Sequence, residues 1–548
     1  MNLKKLFLKL KKSETFKGVG IFILALFIFA YGFSKIEGVG FFDSIYWAVT
    51  TSSTVGYGDI SPTTNVGKIF TMFVMLVGIG LLGYILSQIS TKIMSVNMNN
   101  LMGLGKTRKK GHVIIMGYNA VAKNAIPQLI KQGREVVVVA DVSLSDVSSH
   151  LEVEFIVGNI SDDETLIKAG IKLAKEIILT MPEDSKVILG TSQIKNLNPS
   201  ISIIGRIDDH SFSSIALNSG CNHIVSPSEI GGNLLYSALK EPSVVRAVSE
   251  IISLNYGANL GEILISSDNE YLGKKVSDLN LESNSLLVAI YVFSSKKVES
   301  VPSKDYILCD GDSLITINKT SDCEEESNSS NILKSGGKKI LICGWNYTVR
   351  SCVEELVTED YEITVLSNDI DLGEKEHHES LGINFVTGNV NKFNMVKAGL
   401  SSADVVLLGM REDHDVILMA HLVKELNSRA NLIGRVDESN NFEIAYSAGV
   451  NHIVSPSEIG GQLLSLSIII PHAVEWVRRI TTLSVGAKIC EIKTSSLDIK
   501  DGDLVSSLNL GDNKVLIGID RNSDATVELL PSQDAKLSKN DILVVVEK

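Results

Sequence analysis

The sequence predicts a membrane-embedded α-helical segment followed by two α/β modules with parallel sheets, each trailed by a small α+β lobe. Three observations predict it. Two long apolar runs lie within the first hundred residues; β-like and helix-like segments alternate through most of the rest; and NHIVSPSEIGG occurs at Asn222 to Gly232 and again, 229 residues later, at Asn451 to Gly461. Repetition at a fixed offset marks a duplicated structural unit. At 548 residues the chain is too long for one ordinary core.

Seventeen uncharged residues separate Lys17 from Lys35, and twenty-three separate Lys68 from Lys92. Each run is long enough to cross a hydrocarbon core of about 30 Å, the first only just. Lys4, Lys5, Lys9, Lys11, Lys12 and Lys17 precede or begin the first run, while Lys92, Lys106, Arg108, Lys109 and Lys110 follow the second. Basic flanks stay on the cytoplasmic side, so both termini are expected there. A secretory leader shares the lysine-rich start, but what lies between the runs argues against it. All six cysteines fall after residue 200 without metal-ligand spacing, which fits a reducing compartment. The net charge of -13 excludes a general nucleic-acid binder.

Between the runs the chain reads FFDSIYWAVTTSSTVGYGDISP. Thr54, Val55, Gly56, Tyr57, Gly58 and Asp59 resemble the TVGYG filter loop of potassium channels, whose backbone carbonyls replace the water around K⁺. The glycines permit backbone angles that a Cβ resists. Irregular backbone at membrane depth needs protein or water around it, so Phe41 to Ser53 are expected to form a supporting pore helix, with Trp47 and Tyr57 as a cuff around the filter. One loop supplies a quarter of a pore, which implies a homotetramer. Arginine is absent before Arg108, so an arginine-rich voltage sensor is not expected. Gly78, Gly80 and Gly83 in the second run suit either a gating hinge or close helix packing.

GHVIIMGYN from Gly111 matches KKILICGWN from Lys338; Lys168-Ala169-Gly170 matches Lys397-Ala398-Gly399. Each copy opens with an apolar strand ending in glycine, then a helix, then a second strand, the order of a Rossmann-like unit. The boundaries read as follows: 1–16 basic N-terminus, 17–94 pore domain, 95–110 linker, 111–256 first Rossmann-like domain with its lobe at 257–318, 319–337 acidic linker, 338–485 second Rossmann-like domain, and 486–548 its lobe. In SPSE, Ser226 and Ser455 are expected to cap helices that begin at Pro227 and Pro456, with Glu229 and Glu458 completing a capping box.

A two-span pore with TVGYGD followed by paired Rossmann-like units resembles the prokaryotic potassium channels with RCK domains, and tandem domains with GxN turns are similar to the multi-ligand-gated GsuK type. The resemblance implies a potassium channel that is not an enzyme, with eight RCK domains per tetramer in a cytosolic gating ring that ligand opens or closes. An NAD-dependent membrane oxidoreductase shares the Rossmann turns, and a Trk-like or Ktr-like regulator shares the cytosolic half; the filter motif discriminates against both.

A dinucleotide turn wants G-x-G-x-x-G or A and an acidic residue ending the second strand. The first copy offers Gly117, Tyr118, Asn119, Ala122 and Asp141, with Lys123 and Arg206 placed to meet a phosphate. The second offers Gly344, Asn346 and Val349, with Asn368 where the acid belongs. NAD or an adenine nucleotide is therefore expected in the first copy only. Where calcium-gated relatives carry carboxylates, this chain has Thr180, Arg206 and Asp208. Ca²⁺ remains open through Asp162, Asp163, Glu164 or the Glu324 to Glu326 run, and no metal site is assignable. His377, His378, His414 and His421 read as solvated or packed side chains.

Overall fold

A computed structural model describes residues 14–101, 105–141, 153–159, 161–253, 258–282, 284–319, 339–482, 486–497, 499–521 and 527–548. The basic N-terminus up to residue 13, the Glu324 to Glu326 run and all but the first residue of the 319–337 linker lie outside these ranges. The chain divides into two compact units, 1–105 and 106–548.

Among the described residues the first unit contains three helices: α1 (Glu14–Glu37), α2 (Phe41–Ser52) and α3 (Asn65–Leu101). Segments Gly18–Glu37 and Asn65–Gln88 are long and apolar enough to cross a membrane. Glu37, at the end of α1, accepts the N–H and hydroxyl groups of both Thr63 and Thr64. A carboxylate thus fixes the entry to α3, where backbone donors have no helical partner. The short helix α2 is the expected pore helix. Its Trp47 differs from the expected cuff: the indole is buried and stacked on Phe33 of α1, ring centroids 3.7 Å apart, so it fastens α2 to α1.

In the second unit, strands β1 (Val113–Met116), β2 (Val136–Ala140), β3 (Glu154–Val157), β4 (Glu176–Leu179), β5 (Ser202–Arg206) and β6 (His223–Val225) form a parallel sheet in the order 3-2-1-4-5-6. This is the doubly wound Rossmann order, with its switch point between β1 and β4. Strands β7 (Ala258–Leu264), β8 (Ser285–Val292), β9 (Lys297–Ser300) and β10 (Ser313–Lys319) make a four-stranded lobe. The second copy repeats both sheets: β11 (Lys339–Cys343), β12 (Glu362–Ser367), β13 (Asn384–Thr387), β14 (Val405–Leu408), β15 (Asn431–Arg435) and β16 (His452–Val454), then β17 (Lys488–Lys493), β18 (Lys514–Asp520), β19 (Val527–Leu529) and β20 (Ile542–Glu547). The central strands are buried and, Glu176 at the start of β4 aside, apolar, as a sheet covered on both faces requires.

Six helices join the copies: α4 (Ala120–Lys131), α5 (Pro227–Lys240), α6 (Pro242–Ile252), α7 (Tyr347–Leu356), α8 (Pro456–Leu466) and α9 (Pro471–Thr481). Helix α5 of the first copy packs on α7 of the second, and α8 of the second packs on α4 of the first. The repeated SPSEIGG motif makes this crossing. Ser226 and Ser455 cap α5 and α8 as expected, each hydroxyl accepting the N–H three residues on. The carboxylates do something else: Glu229 faces His210 and Arg478, while Glu458 accepts from Gln462, so half of the expected capping box is built.

The glycine pair is what the capping reading missed. A Cβ on Gly231 would meet the Pro456 ring at 2.6 Å, and one on Gly460 would meet the Pro227 ring at 2.4 Å. A Cβ on Gly232 would lie 2.5 Å from the Thr348 carbonyl, and one on Gly461 2.5 Å from the Val121 carbonyl. Beyond the crossing, α6 and α9 each also pack on the other copy's lobe, α6 on β17, β19 and β20, α9 on β7, β9 and β10. Arg246 of α6 is paired with buried Asp520, His472 of α9 bonds Glu262 at 2.6 Å while stacking on Tyr291, and the Trp476 indole donates to Ser300. One hydrophobic cluster runs through both copies as a result.

Replacing glycine by alanine inside a helix ordinarily gains up to about 1 kcal/mol. Gly232→Ala is expected to reverse that sign, losing about 1–3 kcal/mol because the new methyl meets a backbone carbonyl that cannot swing away. The thermal midpoint of the full-length protein should fall; a rise would contradict this packing.

Candidate functional site

Two sites follow from the sequence, one in each unit. In the first unit, Thr54, Gly56 and Gly58 all have positive φ, +63°, +52° and +79°, while Val55 and Tyr57 between them do not. Alternating the hand of successive residues turns their peptide planes the same way, so that carbonyls collect on one side and N–H groups on the other. The N–H groups are used: Thr54 donates to the Thr51 carbonyl at 3.2 Å, and Val55 and Gly56 donate to the Thr50 carbonyl at 3.0 and 3.2 Å. The end of α2 therefore absorbs the donors of the loop. Among the described residues, no carbonyl from Thr54 to Gly58 accepts a hydrogen bond. A row of uncompensated carbonyl oxygens can hold a dehydrated cation. Asp59 accepts from the Tyr46 hydroxyl at 3.0 Å, tying the far end of the loop back to α2.

The three glycines of α3 separate by environment. A Cβ on Gly78 would lie 2.7 Å from the Ser52 hydroxyl and 3.2 Å from its Cα, so Gly78 lets α3 approach the pore helix closely. A Cβ on Gly80 or Gly83 would meet nothing within 4 Å among the described residues.

In the second unit the turn after β1 is organised by Asn119. Gly117 takes the left-handed conformation at φ +99°, and Asn119 itself is extended, at φ -144°. Its side chain does two jobs: Oδ1 accepts the Ala122 N–H at 3.1 Å as the cap of α4, and Nδ2 donates to the Thr180 carbonyl at 2.6 Å. Asn346 repeats both bonds in the second copy, to the Val349 N–H and the Gly409 carbonyl. The asparagine thereby uses one of the helix donors that an anion would take. Asp141 stands exposed at the end of β2, whereas Asn368 donates to Asn389 at 2.6 Å.

Arg206 and Lys123, the two cations expected to meet a phosphate, are each engaged by a carboxylate. Arg206 is held by Asp208 through two bonds of 3.2 and 2.5 Å, and Asp208 also accepts from Ser228. Burial and two neighbouring aspartates push the Asp184 carboxyl above its ordinary value, although it accepts the N–H groups of Asp208 and Asp209. Lys123 reaches out of its own module to Glu438, 2.8 Å away. The corresponding pair from the other side joins Arg350 to Asp209 at 3.4 Å. Burial works against the Asp209 anion, but Ser211 and Arg350 outweigh it and hold this carboxyl below its usual value.

Sequence reasoning missed Glu438 and Asp209. The repeat offset relates them, and each follows a strand-five segment, IGRV or IGRI, that itself repeats. In the second copy, Glu374 closes over the turn, accepting the Trp345 indole at 2.9 Å and Arg350 at 3.0 Å. The Thr180 hydroxyl donates to the Met116 and Gly117 carbonyls. Among the described residues, no three His, Cys, Asp or Glu side chains gather as a metal site.

Comparison with known proteins follows this division. Residues 19–95 match the ion channel family model, and residues 113–227 and 340–456 each match the TrkA-N domain model. The chain is 28% identical over 305 residues to the probable potassium channel protein 2 of Methanocaldococcus jannaschii, covering 53% of this chain and 89% of that one. It is 25% identical over 344 residues to the calcium-gated potassium channel TvoK of Thermoplasma volcanium, covering 59% and 97% respectively. Among solved structures it resembles the GsuK channel bound to NAD, at a TM-score of 0.50 and 17% identity over 100% of this chain and 97% of that one. An ion-channel segment with two apolar spans, carried with duplicated TrkA-N modules, defines a potassium-channel subunit with Rossmann-like domains. The chain belongs to the two-transmembrane potassium channels with RCK domains, and it functions as a ligand-gated potassium channel.

Because Asn119 bonds both α4 and the end of β4, Asn119→Ala should cost about 1–2 kcal/mol. Asn119→Asp, which keeps the cap and loses the donor to Thr180, should recover part of that. Thermal unfolding of the full-length protein checks both; an unchanged midpoint for Asn119→Ala would contradict the assignment.

Proposed function

We propose that four copies assemble around a cyclic axis and that the carbonyls of Thr54, Val55, Gly56, Tyr57 and Gly58, with the Thr54 hydroxyl, form the K⁺-selective filter. The observation that carries this is the division of backbone groups in the loop: its first three donors end on α2, and its carbonyls have no partner among the described residues. Four such loops facing an axis replace the ion's water shell with oxygen. Asp59 and Tyr46 hold the loop at its outer end. Both termini and the RCK domains lie in the cytoplasm, in keeping with the lysines that flank the spans.

The RCK domains then form a ring of eight. Within one chain the copies use the α4, α5, α7 and α8 face. Leu189 and Ile215 of the first copy and their counterparts Leu418 and Ile444 of the second remain exposed. The same apolar pair on both copies suits contact with neighbouring subunits.

The gating ligand we propose is a nucleotide at the first turn, NAD or an adenine nucleotide, with Gly117, Tyr118, Asn119 and Ala122 around the phosphates and Asp141 on the ribose. Two features favour the first copy over the second: the acid Asp141 stands at the end of β2 where the second copy has the amide Asn368, bonded to Asn389, and Glu374 occupies the second turn. The solved GsuK channel bound to NAD has the same fold. Ligand shifts the pore only by the difference in its affinity for the two ring shapes. Residues 94–110 link the units in sequence and carry the pull to α3, where Gly80 and Gly83 serve as the hinge and Gly78 as a packing contact.

Purified protein in planar bilayers should carry single-channel currents that reverse at the K⁺ equilibrium potential; equal Na⁺ permeability would defeat the filter assignment. By calorimetry, Asp141→Ala should weaken NAD binding at least tenfold and Asn368→Ala should leave it unchanged. Equal effects would remove the distinction between the copies.

A further inference from the structure

The cation placed to meet a phosphate at the first turn is held by the other module. Lys123 sits in the opening turn of α4, and its Nζ lies 5.9 Å from the ring centroid of Tyr118, inside the turn itself. Its partner Glu438 belongs to the loop after β15 of the second module. That loop is firmly built. Asp413 accepts the N–H groups of Asp437 and Glu438 at 2.8 and 2.9 Å and the Asn441 amide at 2.8 Å. The Glu438 side chain itself is 43% exposed, with Lys123 36% exposed.

The mirror-related pair has a different character. Arg350 is held at once by Asp209, Glu354 and Glu374, and it is 23% exposed. A cation shared among three carboxylates in a half-buried position does not exchange partners readily, whereas one held by a single accessible carboxylate does. Of these two repeat-related contacts, the one at Lys123 is held by a single accessible carboxylate, and it lies beside the turn that retains its ribose acid.

We propose that Glu438 of the second module is part of the first module's nucleotide site: it competes with the incoming phosphate for Lys123, so that nucleotide binding releases an ion pair between the modules. This rests on the nucleotide reading of the first turn. Phosphate and carboxylate are both anions that accept from the same ammonium, and a phosphate beside Glu438 would also repel it. Binding therefore swings the Glu438 carboxylate into solvent and loosens one side of the α4–α8 crossing. The second turn, with Arg350 committed, stays as it is. By reciprocity, any ring shape that separates Glu438 from Lys123 raises nucleotide affinity by the same factor that nucleotide favours that shape.

The test is calorimetric titration of ADP into the full-length channel in detergent at low salt. Glu438→Gln should tighten ADP binding about two- to fivefold, the range an accessible ion pair is worth. That gain should shrink at high salt and vanish when Lys123 is also alanine. Asp209→Asn, its counterpart on the other side, should leave ADP affinity where it was. Unchanged or weaker binding by Glu438→Gln, or the same gain without Lys123, would overturn the proposal while leaving the nucleotide site standing. Absence of ADP binding to the unsubstituted channel would remove the nucleotide reading and this proposal together.

Discussion

The constraint from which the rest follows is that backbone polar groups at membrane depth must find partners there. Between Thr54 and Gly58 the chain meets half of it internally. The last carbonyls of the pore helix take the leading N–H groups, and alternate left-handed residues turn the carbonyls away from them. The other half is left to something outside the subunit. In the proposed assembly that is a dehydrated cation on the axis, which explains why one subunit is insufficient and why the loop needs glycine at two positions where φ is positive. Trp47, stacked on Phe33, and Gly78, admitting α3 against Ser52, keep the scaffold behind the loop close-packed.

The second unit solves a different problem: how two Rossmann modules become one mechanical body while keeping ligand sites at their edges. The answer lies in helices that cross. Paired glycines bring α5 and α8 against the backbone of the opposite module, and α6 and α9 reach on to the opposite lobe. Both turns thus open beside the other module's strand-five loop. Any charge on a ligand there is felt by a carboxylate of the neighbour. This proximity, rather than any long relay, is what places binding and inter-module geometry in the same small volume.

Much of this was legible in the sequence because it is local. Apolar length marks the spans, TVGYGD marks the loop, the repeat marks the duplication, and strand–helix alternation yields the Rossmann order. Ser226 and Ser455 cap their helices for reasons contained in four residues. What escaped is long-range. Gly231 and Gly232 look like weak helix residues until Pro456 and Thr348 are beside them. Lys123 reads as a free phosphate ligand because its partner lies more than three hundred residues away. Arg206 likewise reads as a phosphate ligand although Asp208 stands two residues on, because the fold alone shows the two side chains clasped. Asn119 shows the intermediate case: its residue type announced a departure from the usual turn, but only the carbonyl of Thr180 reveals what the amide holds.

The most direct test of the account is to locate permeant ions in the assembled protein by anomalous scattering from crystals grown in rubidium or thallium. The account predicts discrete peaks along a four-fold axis, level with the carbonyl oxygens contributed by Thr54 through Gly58. An assembly without four-fold symmetry, or an axis free of ion density at that level, would contradict it.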